Sequence, residues 1–188
     1  EDIARTWTPH VEAEMSDLAT VHGESVGNAL LYVQRQGGKR IRPLLVVLSS
    51  LACGITPNVR LATLTEWMHQ ASLIIDDVMD ESSLRRGAPT LHTITSIPFA
   101  LGVANLAMAQ VLTTSDTFDA TVRLCITHTA ATLAQGQRNE SRTHTAQDWA
   151  LVIADKTASL LEMACIVGPI HAQAPTAQIE ALRRYGHF

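Results

Sequence analysis

Residues 61–80 run without a glycine or a proline, long enough for about five and a half helical turns. On a wheel of about 100° per residue, Thr65, His69, Ser72, Asp76 and Asp80 share one side. Glu66 and Asp77 flank that side, and Trp67, Ala71, Ile74, Ile75 and Val78 take the other. The pattern predicts a helix over 59–80 with one buried side and one polar side. Asp76 and Asp80 stand one turn apart, so their carboxylates are neighbours and repel unless a cation lies between them.

The rest of the chain reads the same way. Helices are predicted over 6–22, 24–36, 44–52, 98–112, 116–138, 146–167 and 175–185. Gly37-Gly38 ends the second of these, and Gly54 stops the third. Pro43 takes a first-turn position, where a missing N–H is tolerated. The apolar run 44–52 reads as a buried helix rather than a strand, because no turn-spaced partner strands follow. Gly168-Pro169 predicts a kink or an end in the 146–167 helix. Aromatic residues are only 4% and alanine and leucine are abundant, which favours helix over sheet. A chain of 188 residues buries about 70% of its unfolded surface, enough for a core without staples. The expectation is an all-α chain, residues 1–188 forming a single helical bundle.

Charge and cysteine content narrow the function. Fourteen basic against 18 acidic residues give a net charge of −4, so a general nucleic-acid surface is not expected. Cys53, Cys125 and Cys165 have no zinc spacing and make no disulfide framework, which fits a reducing cytoplasm. No apolar run is expected to reach transmembrane length, since the stretch 98–109 contains Gly102 and Asn105. No signal peptide is evident.

Hard oxygen ligands such as Asp76 and Asp80 suit Mg²⁺, which takes one or two carboxylates and completes its shell with water and phosphate oxygens. Alone, the same spacing also describes a solvated acidic helix end. Two basic clusters argue otherwise. Gly37-Gly38-Lys39-Arg40-Ile41-Arg42-Pro43 places Lys39 and Arg42 three apart before a helix start, a plausible anion site. Ser83-Leu84-Arg85-Arg86-Gly87 follows the aspartates directly. The chain has two lysines, Lys39 and Lys156, and Lys156 sits mid-helix beside the hydroxyl of Thr157. Carboxylates for a metal, with cations for two anionic groups, point to a diphosphate substrate. An apolar helical remainder could enclose a hydrocarbon.

These segments resemble the trans-isoprenyl (polyprenyl) diphosphate synthases. The resemblance is carried by GGKRIRPLLVVL, EWMHQASLIIDDVMDESSLRRGAPTLH, DKTASLLEMAC and YGHF, in that order. It implies a helical bundle of the isoprenoid synthase type and an Mg²⁺-dependent head-to-tail condensation of isopentenyl diphosphate with an allylic diphosphate. Lys39, Arg42, His69 and Arg86 would hold isopentenyl diphosphate. Arg85, Lys156, Thr157 and Gln137 would hold the allylic diphosphate. Asp76 and Asp80 would ligate Mg²⁺, with Asp77 assisting. The implied chemistry is ionisation, condensation and elimination, with cations stabilising the departing diphosphate. Small residues at Ala71 and Ser72, before the aspartates, imply a product of twenty carbons or more, with Met68 able to floor the pocket. Family members are usually homodimers, so a homodimer is expected.

The chain departs from the family in some places. Its aspartates after Asp80 are Asp116, Asp119, Asp148 and Asp155, and none forms a second aspartate-rich motif. This stretch alone is therefore expected to be inactive. Rival readings are a non-catalytic subunit of a heteromeric synthase, a class I terpene cyclase and a plain helical interaction module. A cyclase has no need of the isopentenyl site that GGKRIRP and Arg86 suggest.

Overall fold

The computed structural model describes residues 2–140 and 145–187, so Phe188 of the YGHF segment and Ser141 of AQGQRNES lie outside the described residues. The described chain folds as ten α-helices, one π-helical turn and a two-stranded hairpin. The helices are α1 (Ile3–Thr20), α2 (Gly23–Arg35), α3 (Ile41–Ala52), α4 (Val59–Met79), α5 (Leu91–Ile94), α6 (Ile97–Ser115), α7 (Ala120–Glu140), α8 (Ala146–Ile153), α9 (Ser159–His171) and α10 (Thr176–His187). The hairpin pairs β1 (Leu84–Arg85) with β2 (Ala88–Pro89). The all-α expectation holds for the described residues.

Helix α4 is the hub. Asn58 caps it by accepting the Leu61 N–H at 3.2 Å, satisfying one orphan donor of the first turn. Its apolar residues Leu61, Leu64, Trp67, Met68, Ala71 and Ile74 are buried, and it packs against α1, α3, α6 and α9. The core is built from these residues together with Val46, Ile126, Leu133, Leu160 and Met163. At about 25 cal/mol per Å² of apolar surface removed from water, this burial is the main force assembling the helices.

Three expectations need correction. Helix α3 is not buried all round: Val46 and Val47 are inside, but Ile41, Leu48 and Leu51 are exposed. The predicted stretch 98–112 extends to Ile97–Ser115, with Ser96 as N-cap. At 19 residues and a mean hydropathy of 1.4, it is long and apolar enough to cross a membrane, contrary to the sequence expectation. Gly102 and Asn105 do not break it, because the face carrying Ala100, Val103, Ala104, Ala107 and Val111 is buried in the bundle. Finally, the helix predicted over 146–167 is interrupted by a π-turn, Ala154–Ala158. It then continues past Gly168-Pro169 to His171. Gly168 lets α9 lie against α3, since a Cβ there would stand 2.2 Å from the Ser50 hydroxyl.

Candidate active site

The polar side of α4 opens on two adjoining cavities. One, of ≈ 520 Å³, is lined by Gly38, Lys39, Arg42, Glu66, His69 and Arg86, among others. The second, of ≈ 250 Å³, is lined by Ser72, Asp76, Glu140, Lys156 and Thr157, with Trp149, Val152 and Ile153 of α8 on one side. Arg42 and His69 belong to both.

The cationic cavity is shaped by backbone that only certain residues tolerate. The chain leaves α2 through Gly37 (φ 81) and Gly38 (φ 142) and enters α3 from Arg40 in the left-handed region (φ 49). A Cβ on Gly38 would stand 2.7 Å from Arg86 Nη1, so glycine admits the guanidinium. Arg86 and Gly87 form a two-residue hairpin turn with both φ positive, at 53 and 82. That turn is tied to α2 by Tyr32 Oη, which donates to the Pro89 carbonyl at 2.7 Å, and by Gln36 Nε2, which donates to it at 2.9 Å.

Arg40, which sequence reasoning left without a role, is the brace beneath this cavity. Its buried guanidinium donates to Glu66 at 3.0 Å, to Glu12 at 3.2 Å and to the Gln34 carbonyl at 2.8 Å. It thereby joins α1, α2 and α4. The partners come from distant segments, so no local pattern announces it.

Lys39, Arg42 and Arg86, by contrast, make no hydrogen bond or ion pair among the described residues. Arg42 Nε is buried with no acceptor. Burial pulls the Arg42 guanidinium below its ordinary range; Glu66 opposes this and Arg86 adds to it. Partial burial and Arg40 do the same to Arg86. His69 is pushed down to about 3 by burial first, then by Arg42, Arg86, Arg85 and Arg40, so it is a neutral imidazole at pH 7. A buried donor without an acceptor, among cations with no ion pair to the described residues, is chemistry suited to holding an anion.

The second cavity carries its own counter-charges. Lys156 Nζ lies 2.9 Å from Asp76 Oδ1 and 2.5 Å from Glu140 Oε2. Gln137 Nε2 donates to the same Asp76 oxygen at 3.3 Å and to the Ser72 carbonyl at 3.1 Å. Burial opposes charge on Lys156, but its bonds to Glu140 and Asp76 outweigh that and raise its pKa. The π-turn presents Lys156 and Thr157, and such single turns recur at functional sites. Gly136 of α7 makes room for it, because a Cβ there would lie 2.7 Å from Asp155 Cβ and 2.9 Å from Lys156 N. Glu140 has no sequence motif of its own, and the signal that points to it is a helix face shared with Gln137, three residues earlier.

The remaining predicted residues are placed differently. Asp77 is buried and accepts from Arg85 Nε at 2.7 Å, and neither lines either of these two cavities. Burial raises the Asp77 pKa, with Arg85 offsetting it. Ser72 lines the second cavity, but Ala71 and Met68 lie in the close-packed core and line neither.

Asp76 and Asp80 sit at the C-terminal end of α4, whose dipole favours a cation. The Asp80 carboxylate is exposed and makes no hydrogen bond or ion pair among the described residues. No cluster of three metal-ligating His, Cys, Asp or Glu side chains occurs among the described residues. Two carboxylates one turn apart, beside a cavity fit for phosphate oxygens, match the donor set of Mg²⁺ rather than that of zinc.

Comparison with known proteins points the same way. A family model described as polyprenyl synthetase matches residues 24–188. The chain is 33% identical to a nonaprenyl diphosphate synthase of Mycobacterium tuberculosis, across 97% of this chain and 57% of that protein. The crystal structure of a decaprenyl diphosphate synthase from Rhodobacter capsulatus matches with a TM-score of 0.91 and 28% identity, over 98% of this chain and 61% of that one. A polyprenyl synthase from Caulobacter crescentus, complexed with calcium and isoprenyl diphosphate, matches with a TM-score of 0.83 and 26% identity, over 99% and 60%. The chain thus spans between half and two thirds of these relatives.

Proposed function

Since the chain belongs to the polyprenyl synthetase family, we propose that it carries the two diphosphate sites of an all-trans polyprenyl diphosphate synthase. The observation that supports this best is the pair of cavities joined through Arg42 and His69. A terpene cyclase, with one diphosphate to hold, has no use for the first.

Lys39, Arg42 and Arg86 bind the diphosphate of isopentenyl diphosphate through their N–H donors. Neutral His69 can donate one N–H to the same anion without adding a charge. Lys156 and Thr157 bind the allylic diphosphate, and Gln137 fixes Asp76 in place. Arg85 acts through Asp77, holding the end of α4 to the hairpin. Mg²⁺, held by Asp76 and Asp80, would neutralise the charge that develops on the leaving diphosphate. Helix α8, with Trp149, Val152 and Ile153 against the second cavity, shields the reacting carbons from water.

Small Ser72 one turn below Asp76 leaves room for a growing chain, and the relatives are named for nonaprenyl and decaprenyl products. This supports a product of twenty carbons or more. A homodimer is supported by the apolar residues left on the outer face of α6, among them Leu106. Three unpaired cysteines support a cytoplasmic location.

The test is incubation of the protein, at its full natural length, with Mg²⁺, radiolabelled isopentenyl diphosphate and farnesyl or geranyl diphosphate, followed by sizing of the extracted prenols. Products of twenty carbons or more are expected. A fifteen-carbon end product keeps the enzyme class and removes the chain-length reading. No product from a folded protein with any primer moves the reading to a partner subunit or a cyclase.

A further inference from the structure

Asp76 is poised as a metal ligand, yet its Oδ1 already accepts two hydrogen bonds. Lys156 Nζ donates to it at 2.9 Å and Gln137 Nε2 at 3.3 Å. The same ammonium reaches Glu140 at 2.5 Å. Lys156 therefore stands where a cation is needed between two carboxylates. A divalent ion that uses this oxygen meets a positive charge already in place, and like charges at that separation repel strongly inside a partly buried cavity.

We propose that Lys156 is a built-in counter-cation of Asp76, which a divalent ion must displace, and that Glu140 retains the displaced ammonium inside the cavity. The inference rests on the reading of Asp76 as a metal ligand. It adds an order to the site's filling. Without an anion the metal competes with Lys156 and binds weakly. With a diphosphate present, the released ammonium has a new partner beside Thr157, so metal and anion favour each other's entry. The two events are then reciprocal, as linkage requires. Glu140 is a positioning residue in this scheme, since it acts through Lys156.

The probe is Mn²⁺ alone, with the free ion measured by electron paramagnetic resonance during titration of the chain. Lys156→Met should bind Mn²⁺ about tenfold more tightly than the wild type, within the usual range for coupled sites. Lys156→Gln should do likewise, and far-ultraviolet circular dichroism checks that both variants fold. Arg86→Gln removes an equal charge from the neighbouring cavity without touching Asp76, and should change Mn²⁺ affinity by less than about twofold because solvent screens it. In the Lys156→Met background, Glu140→Gln should also change the affinity by less than about twofold, as a double-mutant cycle demands if Glu140 acts only through Lys156.

Unchanged affinity in both Lys156 variants overturns the proposal. So does equal tightening by Lys156→Met and Arg86→Gln, which would reduce the effect to a general field. A large effect of Glu140→Gln in the Lys156→Met background removes its holding role. Asp76→Asn separates this inference from its premise. If that variant binds Mn²⁺ like the wild type, Asp76 is no ligand, and the metal reading fails together with the proposal. If it loses Mn²⁺ while Lys156→Met leaves the affinity unchanged, only the counter-cation is lost.

Discussion

In the cavity between α3 and α4, Lys39, Arg42 and Arg86 have no carboxylate of the described residues within hydrogen-bond reach; in its neighbour, the single ammonium of Lys156 has two. Both cavities border the same face of one helix and share Arg42 and His69. The first concentrates positive charge that the fold leaves unsatisfied, with one guanidinium nitrogen buried and unpartnered. The second is internally balanced. A site built like the first costs stability until an anion arrives, whereas a site built like the second must give up an internal bond to bind anything. Buried polar groups are normally satisfied, so the imbalance of the first marks it as a place where function outweighs folding.

The comparison breaks first beneath the cationic cavity. Arg40 is not one of the waiting cations, because Glu66 and Glu12 hold it. Glu66→Ala would leave a buried guanidinium with its main partner gone, and truncating one member of such a pair costs about 3–5 kcal/mol. Urea denaturation should show the midpoint falling with the slope unchanged. Exposed, unpaired Lys39 provides the contrast, and Lys39→Ala should shift stability by less than about 0.5 kcal/mol. A small loss from Glu66→Ala would mean that Arg40 is as free as its neighbours.

A backbone change probes the other cavity. Gly136→Ala places a methyl group against Asp155 Cβ and Lys156 N, atoms of the π-turn that cannot swing aside. Overpacking of this kind costs about 1–3 kcal/mol. It should also weaken diphosphate binding, because the turn that carries Lys156 and Thr157 has to shift. Gly38→Ala meets the end of the Arg86 side chain, which can move, but also places a Cβ on backbone at φ 142 that an L residue strains, so calorimetry should show stability and anion affinity falling together.

How much of this contrast could be read from the sequence depends on distance along the chain. Lys39 and Arg42 flank a helix start three residues apart, and His69, Ser72 and Asp76 recur on one helical face, so local spacing was enough to group them. The π-turn was invisible, because DKTAS has nothing against an ordinary helix. Its extra residue is accommodated by Gly136 on another helix. The positions of Ala71 and Ser72 differ for a similar reason. They are adjacent in sequence but about 100° apart around α4, so one faces the core and the other the cavity. The length of α6 is hidden in the sequence because Gly102 and Asn105 look like breakers, yet a helix held on its other face by α4 tolerates both.

His69 reports the charge of the cationic cavity. Its folded pKa of about 3 lies below the unfolded value of 6.5. A histidine depressed in this way contributes stability that is present above its unfolded pKa and lost as pH falls towards the folded one. Between pH 6.5 and 3 the wild type should therefore lose stability, by about 2 kcal/mol at pH 5. His69→Gln should flatten that part of the curve in a series of thermal melts. Bound inorganic diphosphate should flatten it too, since the anion offsets the arginines that keep the ring neutral. An equal slope in wild type and variant would mean that the cavity holds less positive charge than its residues suggest.

The smallest effects carry opposite signs, and those signs are the sharpest form of the comparison. Arg42 has its pKa lowered by burial, so the folded state disfavours its charge. Arg42→Gln should therefore stabilise the anion-free chain, by about 1 kcal/mol, while weakening diphosphate binding. Lys156 has its pKa raised, so at pH 7 its charge favours the folded state, an advantage lost only as pH climbs through its folded pKa. Lys156→Gln should cost about 1 kcal/mol, the usual worth of a partly exposed ion pair. Differential scanning calorimetry of both variants without ligand should move the melting temperatures in opposite directions. Inorganic diphosphate should reverse the Arg42 result, because only the wild type can then donate the buried Arg42 N–H to a phosphate oxygen. If both variants melt lower without ligand, the arginine cavity is satisfied in some way its hydrogen bonds do not reveal, and the two cavities are alike after all.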